Sequence, residues 1–166
     1  MTQRERGTNS KVLSLTAADV QVLLPQREPF LFVTGPAEVV PGAAVTARTT
    51  FPANIPLYRG HFPGSPVTPG TIIVETMAQA ASLIMLTTSQ YEGQIGYLIG
   101  IREAHFLKPV YPDAAVLVEG NVCSQRHGVI EAAMQLSVGG VRSATAVLTV
   151  MFRPARDGRG QEGMLT

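Results

Sequence analysis

The stretch Tyr58-Arg59-Gly60-His61-Phe62-Pro63-Gly64-Ser65-Pro66-Val67-Thr68-Pro69-Gly70 sets one histidine among three prolines and three glycines. Each proline fixes its own φ, and the glycines permit close backbone approach, so the segment is stiff. An imidazole held in such a loop is a candidate general base, since histidine titrates near neutral pH. The stretch runs into a helix start, where unpaired N–H groups and the helix dipole favour negative charge. Glu75 follows fourteen positions after His61. Its neighbours Ile72, Ile73, Val74, Met77 and Ala78 leave little wet surface, which argues against a solvated charge. A rigid base, a buried acid and an anion-favouring backbone make a set suited to moving protons beside a developing oxyanion. His105 and His127 sit in strand or turn contexts without acidic partners and read as non-catalytic. Three scattered histidines and a single cysteine, Cys123, make no zinc site and no internal disulfide. Cys123 reads as a small packed strand residue.

The run that carries Glu75, residues 71 to 88, is nearly long enough to cross a bilayer, which takes about 20 residues. Glu75 and Gln79 inside it argue against a membrane. Thr71, Glu75, Gln79 and Ser82 fall at i, i+4, i+8 and i+11, one narrow polar stripe on an otherwise apolar helix. The pattern predicts a buried core helix of about 19 residues, roughly 28 Å long, capped by Thr68 with Pro69 in its first turn. Strands are expected over 30–40 and 43–51, split by Pro41-Gly42, and then over 95–107, 114–126, 129–139 and 141–153. His127-Gly128 and Gly139-Gly140 read as hairpin turns. A small opening helix is expected over Ala17 to Leu23, after Thr16. One helix against five or six antiparallel strands is an α+β domain.

The chain has 166 residues, enough for one ordinary domain. Residues 1–13 read as a disordered lead, 14–153 as the domain and 154–166 as a flexible Gly- and Arg-rich tail. Charged residues make up 15% against about 25% on average, and hydrophobic residues 45%. So low a charge excludes a largely disordered chain and implies a covered surface. One helix cannot bury both its own outward side and two faces of a sheet, so a dimer is expected. A net charge of +1 provides no basic field for nucleic acid.

GHFPGSPVTPGTIIVETMAQ resembles the signature of hotdog-fold β-hydroxyacyl-[acyl carrier protein] dehydratases of the FabZ type. That family shows a GHFPG-x-P-x-x-PG run leading into a helix with Glu and then Ala-Gln. Here His61, Gly64, Pro66, Pro69, Gly70, Glu75, Ala78 and Gln79 stand at the matching positions. Leu24-Pro25-Gln26-Arg27-Glu28-Pro29-Phe30-Leu31 is similar to the family's LPHR-x-PFL. Tyr97-Leu98-Ile99-Gly100-Ile101 and Phe106-Leu107-Lys108-Pro109-Val110 look like its following strand and turn. The likeness covers about residues 20 to 153. Gln26, Glu28 and Thr34 depart from the common His, aromatic and Asp.

The resemblance implies a hotdog fold, with the long helix wrapped by an antiparallel sheet that continues into a second copy. It implies dehydration of a 3-hydroxyacyl chain, carried on the phosphopantetheine arm of acyl carrier protein, to the trans-2-enoyl product. His61 is then the base and Glu75 the acid, contributed by opposite subunits. The Val67 carbonyl holds the histidine ring, the Gly70 N–H stabilises the enolate oxygen, and Gln79 orients Glu75 or the leaving water. Phe62, Pro69 and Ile72 are expected along the acyl tunnel, and Arg59, Arg102, Lys108 and Arg126 at the carrier-protein contact. No cofactor or metal is implied. The assembly is a homodimer or a larger form such as a hexamer, in the cytoplasm, with no membrane or nucleic-acid partner. Glu rather than Asp at position 75 favours the simple dehydratase over the related dehydratase/isomerase. Two alternatives stand beside this reading: a dehydratase of a dedicated type II polyketide or polyene pathway, and a non-catalytic hotdog subunit of a heterodimer.

Overall fold

In the computed structural model, which describes residues 11–155, the chain opens with a short strand, β1 (Leu13–Leu15), and a helix, α1 (Ala17–Leu23). Thr16 caps α1 reciprocally: its hydroxyl accepts from the Asp19 N–H, and the Asp19 carboxylate accepts from the Thr16 N–H. The opening helix is as expected. The strand is not, because three residues are too short to show a period; it begins inside the expected lead, and Leu13 pairs with Val39. The rest of the lead, residues 1–10, lies outside the described residues.

Strands β2 (Ala37–Val40) and β3 (Ala44–Thr49) form the first hairpin. Its incoming strand was expected from residue 30, but residues 30–36 are irregular and serve another element. The Phe32 and Val33 N–H groups donate to Gln79 Oε1 at 2.8 and 3.2 Å instead of to a neighbouring strand. A short helix, α2 (Leu57–Gly60), precedes the Pro-rich loop, and the long helix α3 runs over Gly70–Leu86. Four strands follow: β4 (Gln94–Phe106), β5 (Val116–Arg126), β6 (Val129–Val138) and β7 (Val141–Pro154). Both expected turns between them hold positive φ, at His127 and Gly128 and at Gly139 and Gly140, the geometry that joins right-twisted strands. Strand β7 takes in Pro154, the first residue of the expected tail, while residues 156–166 lie outside the described residues.

All pairings are antiparallel in one sheet of seven strands, ordered β1-β2-β3-β5-β6-β7-β4. The expected five or six strands fell short by β1. Helix α3 lies across the concave face and packs against β2 through β7. It has 17 residues rather than 19, and no helix among the described residues is long and apolar enough to cross a membrane. Thr68 does not cap it. Pro69 occupies the cap position, and the Thr68 hydroxyl pairs with the Tyr58 hydroxyl at 2.7 Å, tying the Pro-rich loop to α2.

The covered surface also differs from expectation. From Ile73 to Leu86 every residue of α3 except Glu75 is already buried within one chain. Unpartnered apolar surface lies instead along β4, an edge strand carrying exposed Tyr97, Ile99, Ile101 and Phe106, followed by exposed Leu107. An apolar, unpaired edge is a template for another strand. The uncovered apolar surface therefore lies at the sheet edge and not on the helix.

Candidate active site

The loop between α2 and α3 is fixed from three sides. The Thr68 N–H donates to the Val110 carbonyl at 2.8 Å, Tyr58 closes on Thr68, and the Ser65 N–H donates to Phe62 O at 2.9 Å. Within this frame His61 is half-buried, and its Nδ1 donates to the Val67 carbonyl at 2.8 Å. Phe62, at φ 56°, holds a left-handed backbone that is unusual for a bulky residue. Its ring centroid lies 4.0 Å from that of His61.

Glu75 projects from the first half of α3, partly buried. Burial pushes its carboxyl above the ordinary range, and a hydrogen bond from Gln79 opposes part of that rise. Gln79 is almost wholly buried, and each of its four hydrogen-bonding positions is used. Its Oε1 accepts from Phe32 and Val33, while its Nε2 donates to Phe30 O and to Glu75 Oε1, both at 2.9 Å. Two backbone N–H groups dictate which end of the amide is oxygen, so the NH2 must face Glu75. Gln79 thus holds one oxygen of Glu75, and both of its N–H protons are spent.

His61, Phe62, Gly70 and Glu75 line one cavity of about 790 Å³. His61 and Glu75 of one chain both face this space, so the helix start does not separate them. Leu98, Ile101, Ala104 and Phe106 of β4 form another wall. A Cβ on Gly70 would lie 2.8 Å from the Phe106 ring, so a larger residue there would have to push that ring aside. The Gly70 N–H belongs to the first turn, whose donors have no acceptor within the helix.

The remaining expected residues scatter. Pro69 caps α3, and Ile72 lines a separate apolar cavity of about 490 Å³ with Phe32, Phe51 and Leu57. Lys108 lines the cavity of His61, and Arg59 lies exposed two residues before it. Arg102 is paired with Glu103 and Glu131. Arg126 stands at the β5–β6 turn, in register through Val129 with Met151 of β7, whereas the Lys108 N–H bonds Ser143 near the other end of β7. Eight strand residues, about 26 Å, separate those two ends. The four cations form no single patch. Cys123 is exposed at an irregularity of β5 rather than packed. Thr34, a departure from the resembled family, bonds Thr49 at 3.1 Å, and Thr49 in turn donates to Phe32 O. That role is structural, and position alone did not reveal it.

The family model described as a FabA-like domain matches residues 24–147. The chain belongs to this family. It is 36% identical over 143 residues to the 3-hydroxyacyl-[acyl-carrier-protein] dehydratase FabZ of Levilactobacillus brevis, covering 86% of this chain and 97% of that protein. It is 34% identical over 140 residues to the FabZ of Enterococcus faecalis, covering 84% and 99%. Among solved structures, the dehydratase heterocomplex ApeI:P from Xenorhabdus doucetiae superposes with a TM-score of 0.68 at 18% identity, over 80% of this chain and 89% of that one. A hypothetical thioesterase with coenzyme A from Streptococcus pneumoniae superposes less well, with a TM-score of 0.54 at 14% identity, over 70% of this chain and 84% of that one. The hotdog fold and the FabZ-type membership expected from the loop motif are both borne out.

Proposed function

We propose that the chain dehydrates 3-hydroxyacyl chains on acyl carrier protein to trans-2-enoyl chains, with His61 as base and Glu75 as acid at the interface of a cytoplasmic dimer. The dehydratase class, a hydro-lyase of fatty acid synthesis, rests on the FabZ relatives. The observation that carries the residue assignment is the His61–Val67 bond. Because a carbonyl only accepts, Nδ1 bears the proton and the Nε2 lone pair is left as the base.

Nε2 takes a proton from C2 of the substrate. Negative charge gathers on the thioester oxygen, where the Gly70 N–H stabilises it. The C3–O bond then breaks as Glu75 delivers its proton to the departing hydroxyl, giving one alkene and one water. Burial shifts the Glu75 carboxyl toward the protonated form that this step needs, opposing the helix dipole. His61 finishes protonated and Glu75 ionised, and a proton returned from one to the other resets the site.

That β4 is at once an unpaired edge and a wall of the cavity supports this reading. A strand added there closes the space around an acyl chain and excludes water. Lys108 and Arg59 suit the acidic carrier protein best, since they lie nearest His61. The test is incubation of the purified protein with 3-hydroxyacyl carrier proteins of several chain lengths, followed by weighing the acyl products. Loss of one water from a fatty chain is expected. No loss from any carrier-bound hydroxyacyl chain, or a folded and active monomer at low micromolar concentration, overturns the proposal.

A further inference from the structure

Glu75 also lines a second, smaller cavity of about 170 Å³, together with Gln26, Gln79, Ser82 and Tyr97. Glu75 and Leu98 thus border both this space and the larger one shared with His61. Gln26 Oε1 is buried and has no hydrogen-bond partner among the described residues. A carbonyl oxygen can only accept, and leaving it dry is costly. The walls offer it little. Both N–H groups of Gln79 are spent on Phe30 and Glu75, and the Ser82 hydroxyl donates to Ala78 O at 2.9 Å. Gln26 is also held in place from its backbone: Arg27 Nη1 donates to the carbonyls of both Leu24 and Gln26 at 2.7 Å.

A space of this size and polarity admits water, which needs only about 10–15 Å³ and two or more polar partners. We propose that Gln26 is a positioning residue: its Oε1 and the Glu75 carboxyl share one water in the small cavity, which donates one hydrogen to each. This rests on the reading of Glu75 as the acid. With Gln79 and the water both donating into the carboxyl from behind, its own proton is left on the side of the His61 cavity, where the hydroxyl departs. The same two donors stabilise the carboxylate that remains.

The test compares Gln26→Leu and Gln26→His with the wild type. Gln26→Leu removes the acceptor and is expected to lower kcat by about tenfold, the scale of one hydrogen bond to a charged group, with KM within about twofold. Its Tm should stay near the wild-type value, because the hydrogen bond lost runs to a water and not to another part of the fold; a residue that merely supports the fold gives a fall. Gln26→His restores an acceptor and should recover kcat to within about threefold. In a high-resolution crystal structure of the wild type, a water should lie within about 3.2 Å of both Gln26 Oε1 and Glu75. Wild-type kcat in Gln26→Leu, a fall in its Tm together with kcat, or Gln26 bonded directly to Glu75 through Nε2 each overturns the proposal. The crystallographic result needs no turnover, so it decides the water site even if the wild type dehydrates nothing and the reading of Glu75 fails.

Discussion

The carbonyl oxygen of Val67 stands 2.8 Å from Nδ1 of His61, six residues earlier in the chain. That one bond fixes the ring's orientation and its tautomer before any substrate arrives. The loop is able to make it because Tyr58–Thr68 and Thr68–Val110 hold the backbone on both sides. Little reorganisation is then left for the reaction itself.

Removing the imidazole tests this directly. His61→Ala should lower kcat by roughly 10²–10⁴, the usual contribution of a positioned base. His61 is only half-buried and accepts no load from the core, so the thermal midpoint and the mass in light scattering should stay at wild-type values. A purified variant that turns over near the wild-type rate removes His61 from the mechanism.

The motif from Gly60 to Gln79 was legible because its chemistry is local. Proline, glycine and one histidine in a single loop, followed by a helix with a narrow polar stripe, constrain one another along the chain. What stayed hidden depends on distant partners. Residues 30–33 carry strand-forming side chains, yet the N–H groups of Phe32 and Val33 go to Gln79, 47 and 46 positions away, and that of Phe30 to the Arg27 carbonyl. Thr68 looked like a helix cap in sequence because its partner Tyr58 is brought near only by the fold. The long helix reads as buried from its own residues, but they do not show what covers it, which is strands β2 through β7 of its own chain.

Gln79 joins that irregular segment to the acid. Gln79→Ala would leave the N–H groups of Phe32 and Val33 and the carbonyl of Phe30 without their partner. At about 1–3 kcal/mol for each buried group left unpaired, the variant should lose about 3 kcal/mol or more of stability. Urea unfolding reads this loss, and a change under about 1 kcal/mol would mean that water already serves these groups.

Glu75 sets a pH dependence of stability. Burial raises its carboxyl above the ordinary 4.5. The folded state therefore binds this proton more tightly than the unfolded state, and that advantage is complete below the ordinary value and lost as pH rises through the folded one. Glu75→Gln removes the titration while keeping the shape. Its thermal midpoint relative to wild type should climb with pH above the ordinary carboxylate range and level off once Glu75 is ionised. A difference that is flat from acid to neutral pH contradicts a raised carboxyl.

The last prediction separates two arrangements that the single-chain cavity leaves side by side, since His61 and Glu75 of one chain both line it. If a second copy pairs along β4, each closed site brings His61 of one subunit against Glu75 of its partner. His61→Ala and Glu75→Gln should each be nearly inactive alone. Allowed to exchange subunits, they form mixed dimers in which one site lacks both groups and the other has both. Half the dimers are mixed at statistical exchange, and each has one intact site, so activity should recover to at most about a quarter of wild type. If His61 and Glu75 of the same chain act together, every site in every dimer lacks one of them, and mixing restores nothing. Differently tagged subunits report whether exchange has occurred. A mixture that exchanges fully and stays inactive places both groups of a site on one chain, and the role of the β4 edge is then only to close the cavity.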